Sequence, residues 1–258
     1  MAEGPVVLLA GPGPTTNIVH RALLGAFPDV IAIIEKGVPR RQLARRRVVR
    51  LGYRAVAGQM LFMVLAVPLL TVQGRRRVGE ILAAGGLDAS PVPGAQDVDS
   101  VNSDAARHLL QRAQPAVVVV NGTRIIGKQT LGSVDAPFIN MHAGLTPRYR
   151  GVHGGYWALA DGRPDLVGTT IHLVDTGIDT GPPLAQVTFR VDGRDSFTTY
   201  PYLHVAAGLP LLVDCARALA DGNPIERQVV DTGDDTSVLR HHPTLASYLV
   251  NRYRHGAR

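Results

Sequence analysis

The chain has 258 residues, 45 % of them hydrophobic and 19 % charged, with a formal net charge of +6. That balance excludes wholesale disorder and allows one large domain with a small appendage. The single cysteine, Cys215, excludes an internal disulfide and suits a reducing, cytoplasmic setting.

At the N-terminus, Met1 and Glu3 offer no basic region, and Val6 to Ala10 is too short for the apolar core of a secretory signal. Val6 to Ala10 instead predicts a buried strand running into the turn Gly11-Pro12-Gly13-Pro14. Thr15 or Thr16 is expected to cap a helix reaching Phe27. Val30 to Ile34 predicts a second strand, Ala105 to Arg112 a helix, and Val117 to Val120 a third strand. Such alternation predicts an α/β fold: a Rossmann-like, mostly parallel sheet with helices on both faces.

The alternation breaks between Ile34 and Pro91. Residues 55–74 carry no charge, and arginines flank them: Arg40, Arg41, Arg45, Arg46, Arg47 and Arg50 before, Arg75, Arg76 and Arg77 after. The length suits a membrane span. Gly58, Gln59 and Pro68 interrupt it, both flanks are positive, and the strands on either side must join one sheet. A helical insertion over 36–90 is therefore expected, either packed in the core or in a homodimer, or lying at a membrane interface. The arginine clusters are either solvated helix ends or contacts to an anionic partner.

Further on, Pro183 to Val191 predicts a strand. Ser196 to Leu219 predicts a helix bent at Pro201 and Pro210. Glu226 to Val230 predicts a short strand, Asp231 to Ser237 a polar loop, and Leu245 to Tyr253 a last helix. The expected division is a catalytic body over 1–190, carrying the insertion, and a short helical C-terminal extension over 191–258.

Chemistry concentrates in two stretches. Pro137 to His142 reads as a buried strand, so Asn140 and His142 project to one side at its carboxyl edge. An amide donates to a developing oxyanion, and an imidazole donates or carries a proton. The bland alternative is an Asx-turn beside a loop-capping histidine. Thr169 to Val174 predicts a strand entering the turn Asp175-Thr176-Gly177, and Asp179 follows among small residues. A carboxylate there orients an imidazole, or merely caps a turn. His172 reads as a satisfied core histidine.

Together these stretches resemble the signature of the formyltransferases that use 10-formyltetrahydrofolate. The family's Asn-x-His pair matches Asn140 and His142, and its later loop aspartate matches Asp179. Its Leu-x-Pro-x-Tyr-x-Gly run matches Leu145, Pro147, Tyr149 and Gly151. Residues 121–126 resemble the segment whose main chain holds the pterin. The likeness is strong from about Pro115 to Gln186.

The resemblance implies that 10-formyltetrahydrofolate is the co-substrate and that Asn140, His142 and Asp179 are catalytic. Asn140 and a protonated His142 would stabilise the oxyanion, and Asp179 would accept the amine's proton. Thr123, Arg124, Ile125, Ile126, Asp175 and Asp179 would contact the folate, and Gly13, Thr15, Arg150, His153 and Tyr156 the acceptor. No metal is implied, and His241-His242 reads as a solvated pair.

The acceptor is narrowed by subtraction. Fewer than eighty residues follow Asp179, too few for the RNA-binding barrel that the resemblance implies for the initiator-tRNA enzymes, so a nucleic-acid partner is not expected. Pro12 and Pro14 remove two backbone donors from the first turn, which weakens a phosphate site there. Gly151 to Gly155 reads as a flexible substrate mouth. Residues His153 to Leu159 are similar to enzymes that formylate amino sugars and related metabolites, so a nucleotide- or lipid-linked amino sugar is the expected acceptor. The rivals are a deformylase using water, a non-catalytic membrane-associated homologue, and a dinucleotide-binding enzyme, for which Gly11-Pro12-Gly13 is a poor match.

Overall fold

Strand β1 (Val6–Ala10) leads into helix α1 (Pro14–Ala26) and strand β2 (Val30–Glu35). Three helical pieces follow: α2 (Arg40–Leu51), then α3 (Tyr53–Leu61) and α4 (Val67–Ala84), the last two joined by a π-helical turn over Phe62–Ala66. Next come β3 (Gln96–Val98), α5 (Asp104–Ala113), β4 (Val117–Asn121), α6 (Lys128–Leu131), β5 (Phe138–His142) and β6 (Tyr149–Gly151). The chain continues through α7 (Gly154–Ala160), β7 (Gly168–Leu173), β8 (Pro183–Thr188), α8 (Tyr200–Ala220), β9 (Val238–Arg240) and α9 (Leu245–His255). This computed structural model describes residues 4–233 and 236–258. The reading of Met1 and Glu3, residues 234 and 235 of the polar loop, and the side chains of Arg40 and Arg46 lie outside the described residues.

Seven strands form one sheet in the order β3-β2-β1-β4-β5-β7-β8. The first five pair in parallel; β7 and β8 are antiparallel additions. Every residue of β1 and β4 is buried, as expected for central strands covered on both faces. Side-chain alternation splits them between two cores. Leu8, Val119 and Ile139 pack with Ile18 of α1 and Leu209 of α8, while Val7, Leu9 and Val118 pack with Leu110 of α5. Each such side chain stabilises the fold by about 1.5–3 kcal/mol. The sheet order reverses between β1 and β4, and there Gly11 donates to the Asn121 carbonyl at 3.0 Å. A Cβ on Gly11 would lie 2.4 Å from the Gly122 oxygen, so the close approach requires glycine.

Several local expectations are corrected. Neither Thr15 nor Thr16 caps α1: Gly13 is the N-cap and Pro14 starts the helix. The Thr16 hydroxyl instead donates to the Gly11 carbonyl at 2.6 Å and accepts from the Asn121 amide at 3.0 Å. Helix α8 starts at Tyr200, because the Ser196 N–H bonds the Thr199 hydroxyl in a preceding turn. Pro201 therefore sits in the first turn, where a missing N–H costs nothing, and only Pro210 is inside the helix. Strand β8 ends at Thr188, and of the strand expected at Glu226 to Val230 only a bridge between Ala185 and Gln228 forms.

The insertion is helical, but only one face of it is buried. Val56, Gln59, Phe62, Leu70 and Ile81 turn inward. Phe62 meets Phe197 and Tyr248 at ring-centroid distances of 4.9 and 4.8 Å. Arg77 pairs with buried Asp195 at 2.7 Å. Met60, Leu61, Val64, Leu65, Leu69 and Val72 remain exposed on the other side.

Candidate active site

Strand β5 presents Asn140 and His142 at its carboxyl end, and the antiparallel register of β7 sets His172 directly opposite Asn140. The Asn140 amide nitrogen lies 3.1 Å from His172 Nε2. His172 Nδ1 lies 2.7 Å from the Leu173 carbonyl, which can only accept. Nδ1 therefore carries the proton, and Nε2 of the neutral ring accepts from Asn140. One Asn140 amide hydrogen stays uncommitted.

The loop between β7 and β8 brings the carboxylate. Asp175 shapes it by accepting from the Gly177 N–H at 2.9 Å and the Thr180 hydroxyl at 2.8 Å. Asp179 takes a left-handed conformation, φ 51°, which the short polar side chain of aspartate tolerates. Its Oδ2 accepts from the Gly151 N–H at 2.8 Å and lies 3.4 Å from His142 Nδ1; its Oδ1 lies 3.7 Å from His172 Nε2. His142 Nε2 is 2.7 Å from the Tyr149 carbonyl and donates to it. The neutral ring thus turns the Nδ1 lone pair toward the carboxylate.

Electrostatics complete the arrangement. Burial pulls the His142 pKa below its ordinary value, against the opposing pull of Asp179 and the Tyr149 carbonyl. Burial pushes Asp179 up, but the neighbouring His172 and His142 rings and the Gly151 N–H outweigh it and hold the carboxyl below its usual value. The resting site is a carboxylate beside a neutral imidazole. Burial thus weighs against the protonated His142 that the resemblance implied. With two lone pairs facing each other at 3.4 Å, a proton delivered between them is held by both.

The other expected residues divide. Thr123, Arg124, Ile125 and Ile126 leave β4 at the same rim, one strand from β5. The Arg124 guanidinium is tied to Glu35 at 2.6 Å and to the Lys36 carbonyl at 2.8 Å, and its N–H donates to Glu35 at 2.7 Å. Gly13 and Thr15 sit at the β1–α1 turn, with Thr15 partly exposed. Arg150 donates to the Ile178 carbonyl at 3.2 Å, bracing the Asp179 loop. Tyr156 is fully buried, its hydroxyl accepts from Asn251 at 3.1 Å, and its ring packs on Phe197 and Tyr248. It is a core residue, not a surface for a sugar. His153 packs on Phe197 and bonds His242 at 3.0 Å, so His242 is not a solvated side chain either. The Gly151 to Gly155 stretch is closely packed: a Cβ on Gly154 would lie 2.4 Å from the Ala143 oxygen. Sequence reasoning set His172 aside as a core residue; only the strand register shows it bonded to Asn140.

Such a site, an amide donor and a carboxylate–imidazole pair at the rim of a parallel sheet, has the groups that acyl transfer without a covalent nucleophile needs. Residues 88–204 match the formyl transferase family model. It is 32 % identical over 166 residues to a methionyl-tRNA formyltransferase of Anaeromyxobacter sp. (strain K), covering 64 % of this chain and 53 % of that one. It is 42 % identical over 109 residues to a phosphoribosylglycinamide formyltransferase of Mycobacterium tuberculosis, covering 42 % and 50 %. The chain thus spans about half the length of the curated relatives it matches. The fold is shared with glycinamide ribonucleotide transformylase 1 from Symbiobacterium toebii, at TM-score 0.55, 19 % identity and coverage of 93 % and 96 %. It is also shared with an N-formyltransferase from Helicobacter canadensis in complex with folinic acid and dTDP-3-aminofucose, at TM-score 0.53, 14 % identity and coverage of 91 % and 70 %.

Proposed function

We propose that the protein transfers the formyl group of 10-formyltetrahydrofolate to a primary amine on a small molecule, an amino sugar linked to a nucleotide or a lipid. The observation that carries this reading is the convergence of Asn140, His142 and Asp179, from two separate stretches, at one rim of the sheet. The free Asn140 hydrogen suits the formyl oxygen as negative charge gathers there, a donor of a kind contributing about 2–4 kcal/mol to such steps. The amine nitrogen bonds the formyl carbon and gives its proton to the His142–Asp179 pair. That pair returns the proton to the folate nitrogen as its bond to the formyl carbon breaks. His172 and Gly151 act by holding Asn140 and Asp179 in place. Thr123 to Ile126 and the Asp175 loop, at the same rim, are the proposed folate contacts, and Gly13, Thr15 and Arg150 the nearest groups to an acceptor.

In this reading residues 1–190 form the catalytic body and 191–258 an extension, although α8 shares its core with β1 and β5. The exposed apolar stripe of α3 and α4 is proposed to be covered in a homodimer, in the cytoplasm. Light scattering gives the mass, and flotation with anionic liposomes tests a membrane surface instead.

The test is a panel of amines incubated with the folded chain and 10-formyltetrahydrofolate, read by product mass and tetrahydrofolate release. Formylation of an amino sugar supports the reading. Formate release without any amine would assign the site to hydrolysis. No turnover with either would refute both.

A further inference from the structure

Between the insertion and the C-terminal segment lies a cavity of about 200 Å³. Its walls include Arg47 and Arg50 of α2, Gln59 of α3, Val152, and the pair His241 and His242. Among the described residues no carboxylate lines it, and neither arginine makes an ion pair. Gln59 is 4 % exposed; its Nε2 donates to the His242 carbonyl at 2.9 Å, while its Oε1 is buried with no hydrogen-bond partner. The cavity therefore combines uncompensated guanidinium charge with an acceptor lacking its donor, the complement of an anion that also carries hydroxyls.

Its position links it to the reaction. Val152 follows Gly151, whose N–H holds the Asp179 carboxylate, and the Val152 N–H itself donates to the Arg240 carbonyl at 3.2 Å. Of the wall residues named, only Val152 falls within residues 88–204, so the pocket is built from what this chain adds around the formyl transferase domain. The prolines of the first turn leave that turn poor in anion-binding donors, and the insertion supplies donors elsewhere.

We infer that this cavity binds the phosphate of the acceptor, with Arg47 and Arg50 pairing its oxygens and Gln59 Oε1 accepting from an adjacent hydroxyl. The identity of the ligand as an acceptor rests on the proposed amine formylation; the anion site itself does not. Trp157, the sole tryptophan, reports on it, because its indole N–H donates to the His241 carbonyl at 3.0 Å.

The experiment titrates inorganic pyrophosphate into the full chain at constant ionic strength, read by tryptophan fluorescence and by calorimetry. Saturable binding is expected. It should weaken about tenfold or more in Arg47→Gln/Arg50→Gln, the loss of charge-assisted hydrogen bonds, and stay unchanged in Arg75→Gln/Arg76→Gln. Arg50→Gln alone, at an exposed side chain, serves if the double variant misfolds. In the formylation assay Arg50→Gln should raise KM for a phosphorylated amine and leave KM for its unphosphorylated form alone. A phosphate borne on lipid is separated from a soluble one by repeating the KM comparison with a phosphorylated amine carried on a lipid. No saturable binding, or equal binding in the arginine variants, overturns the site. Arginine-dependent binding with no amine formylated would keep the anion site and remove the proposed function.

Discussion

Asn140 and His172 stand opposite each other on β5 and β7, and their side chains meet at 3.1 Å. His172 fixes which way the Asn140 amide points, and through Leu173 the strand fixes His172. The proposed oxyanion donor is thus aimed by the sheet rather than by a flexible loop.

His172→Phe is therefore expected to lower kcat by about 10²-fold, the cost of misplacing a reacting group by an ångström, with little change in acceptor KM. His172→Gln, whose amide oxygen accepts a hydrogen bond, should recover part of the loss. Steady-state kinetics on the two variants check this; wild-type kcat in His172→Phe would show that Asn140 orients itself.

Acid stability follows from buried histidines. His204 is pushed down to about 3 by burial, helped by His142, and bonds the Thr169 hydroxyl at 2.9 Å. His242 is pushed down to about 4 by burial, then by Arg47 and His241. The unfolded chain takes up these protons near the ordinary value of 6.5 and the folded chain only near 3 to 4, so protons favour unfolding below 6.5. Stability is full above pH 6.5 and is lost as pH falls toward 3, by on the order of a few kcal/mol for His204. Urea midpoints across this range should fall, and should fall less steeply in His204→Asn.

The insertion is fastened to the body by Arg77 and Asp195, a two-pronged pair at 2.7 and 3.2 Å whose Asp195 side chain is 0 % exposed. Asp195→Ala leaves Arg77 only Asp192 and Glu80, at 3.5 and 3.6 Å. A loss of about 2–3 kcal/mol is expected, below the range for a fully buried pair because Arg77 is partly exposed. Denaturant unfolding measures it.

Tyr156→Phe is expected to cost about 1 kcal/mol of stability, by losing the hydrogen bond from Asn251, and to leave acceptor KM unchanged. A raised KM would return Tyr156 to the acceptor site.

Much of this was legible locally. The continuous apolar runs of β1 and β4 announce central parallel strands, and the spacing of Asn140 and His142 announces a shared face. His172 was not legible, because its partner lies 32 residues away and is chosen by antiparallel register. Tyr156 was misread because its burial comes from Phe197 and Tyr248, which arrive from distant elements. Thr16 lost its capping role to a hydrogen bond with Asn121, again a long-range partner.

The most direct measurement is single-turnover formyl transfer from 10-formyltetrahydrofolate to an accepted amine, in wild type, Asn140→Ala and Asp179→Asn. Asparagine tolerates the left-handed conformation at 179, so the fold should persist, as circular dichroism will report. The account predicts a fall of about 10²–10³-fold in each folded variant. Wild-type rates in either one would contradict it.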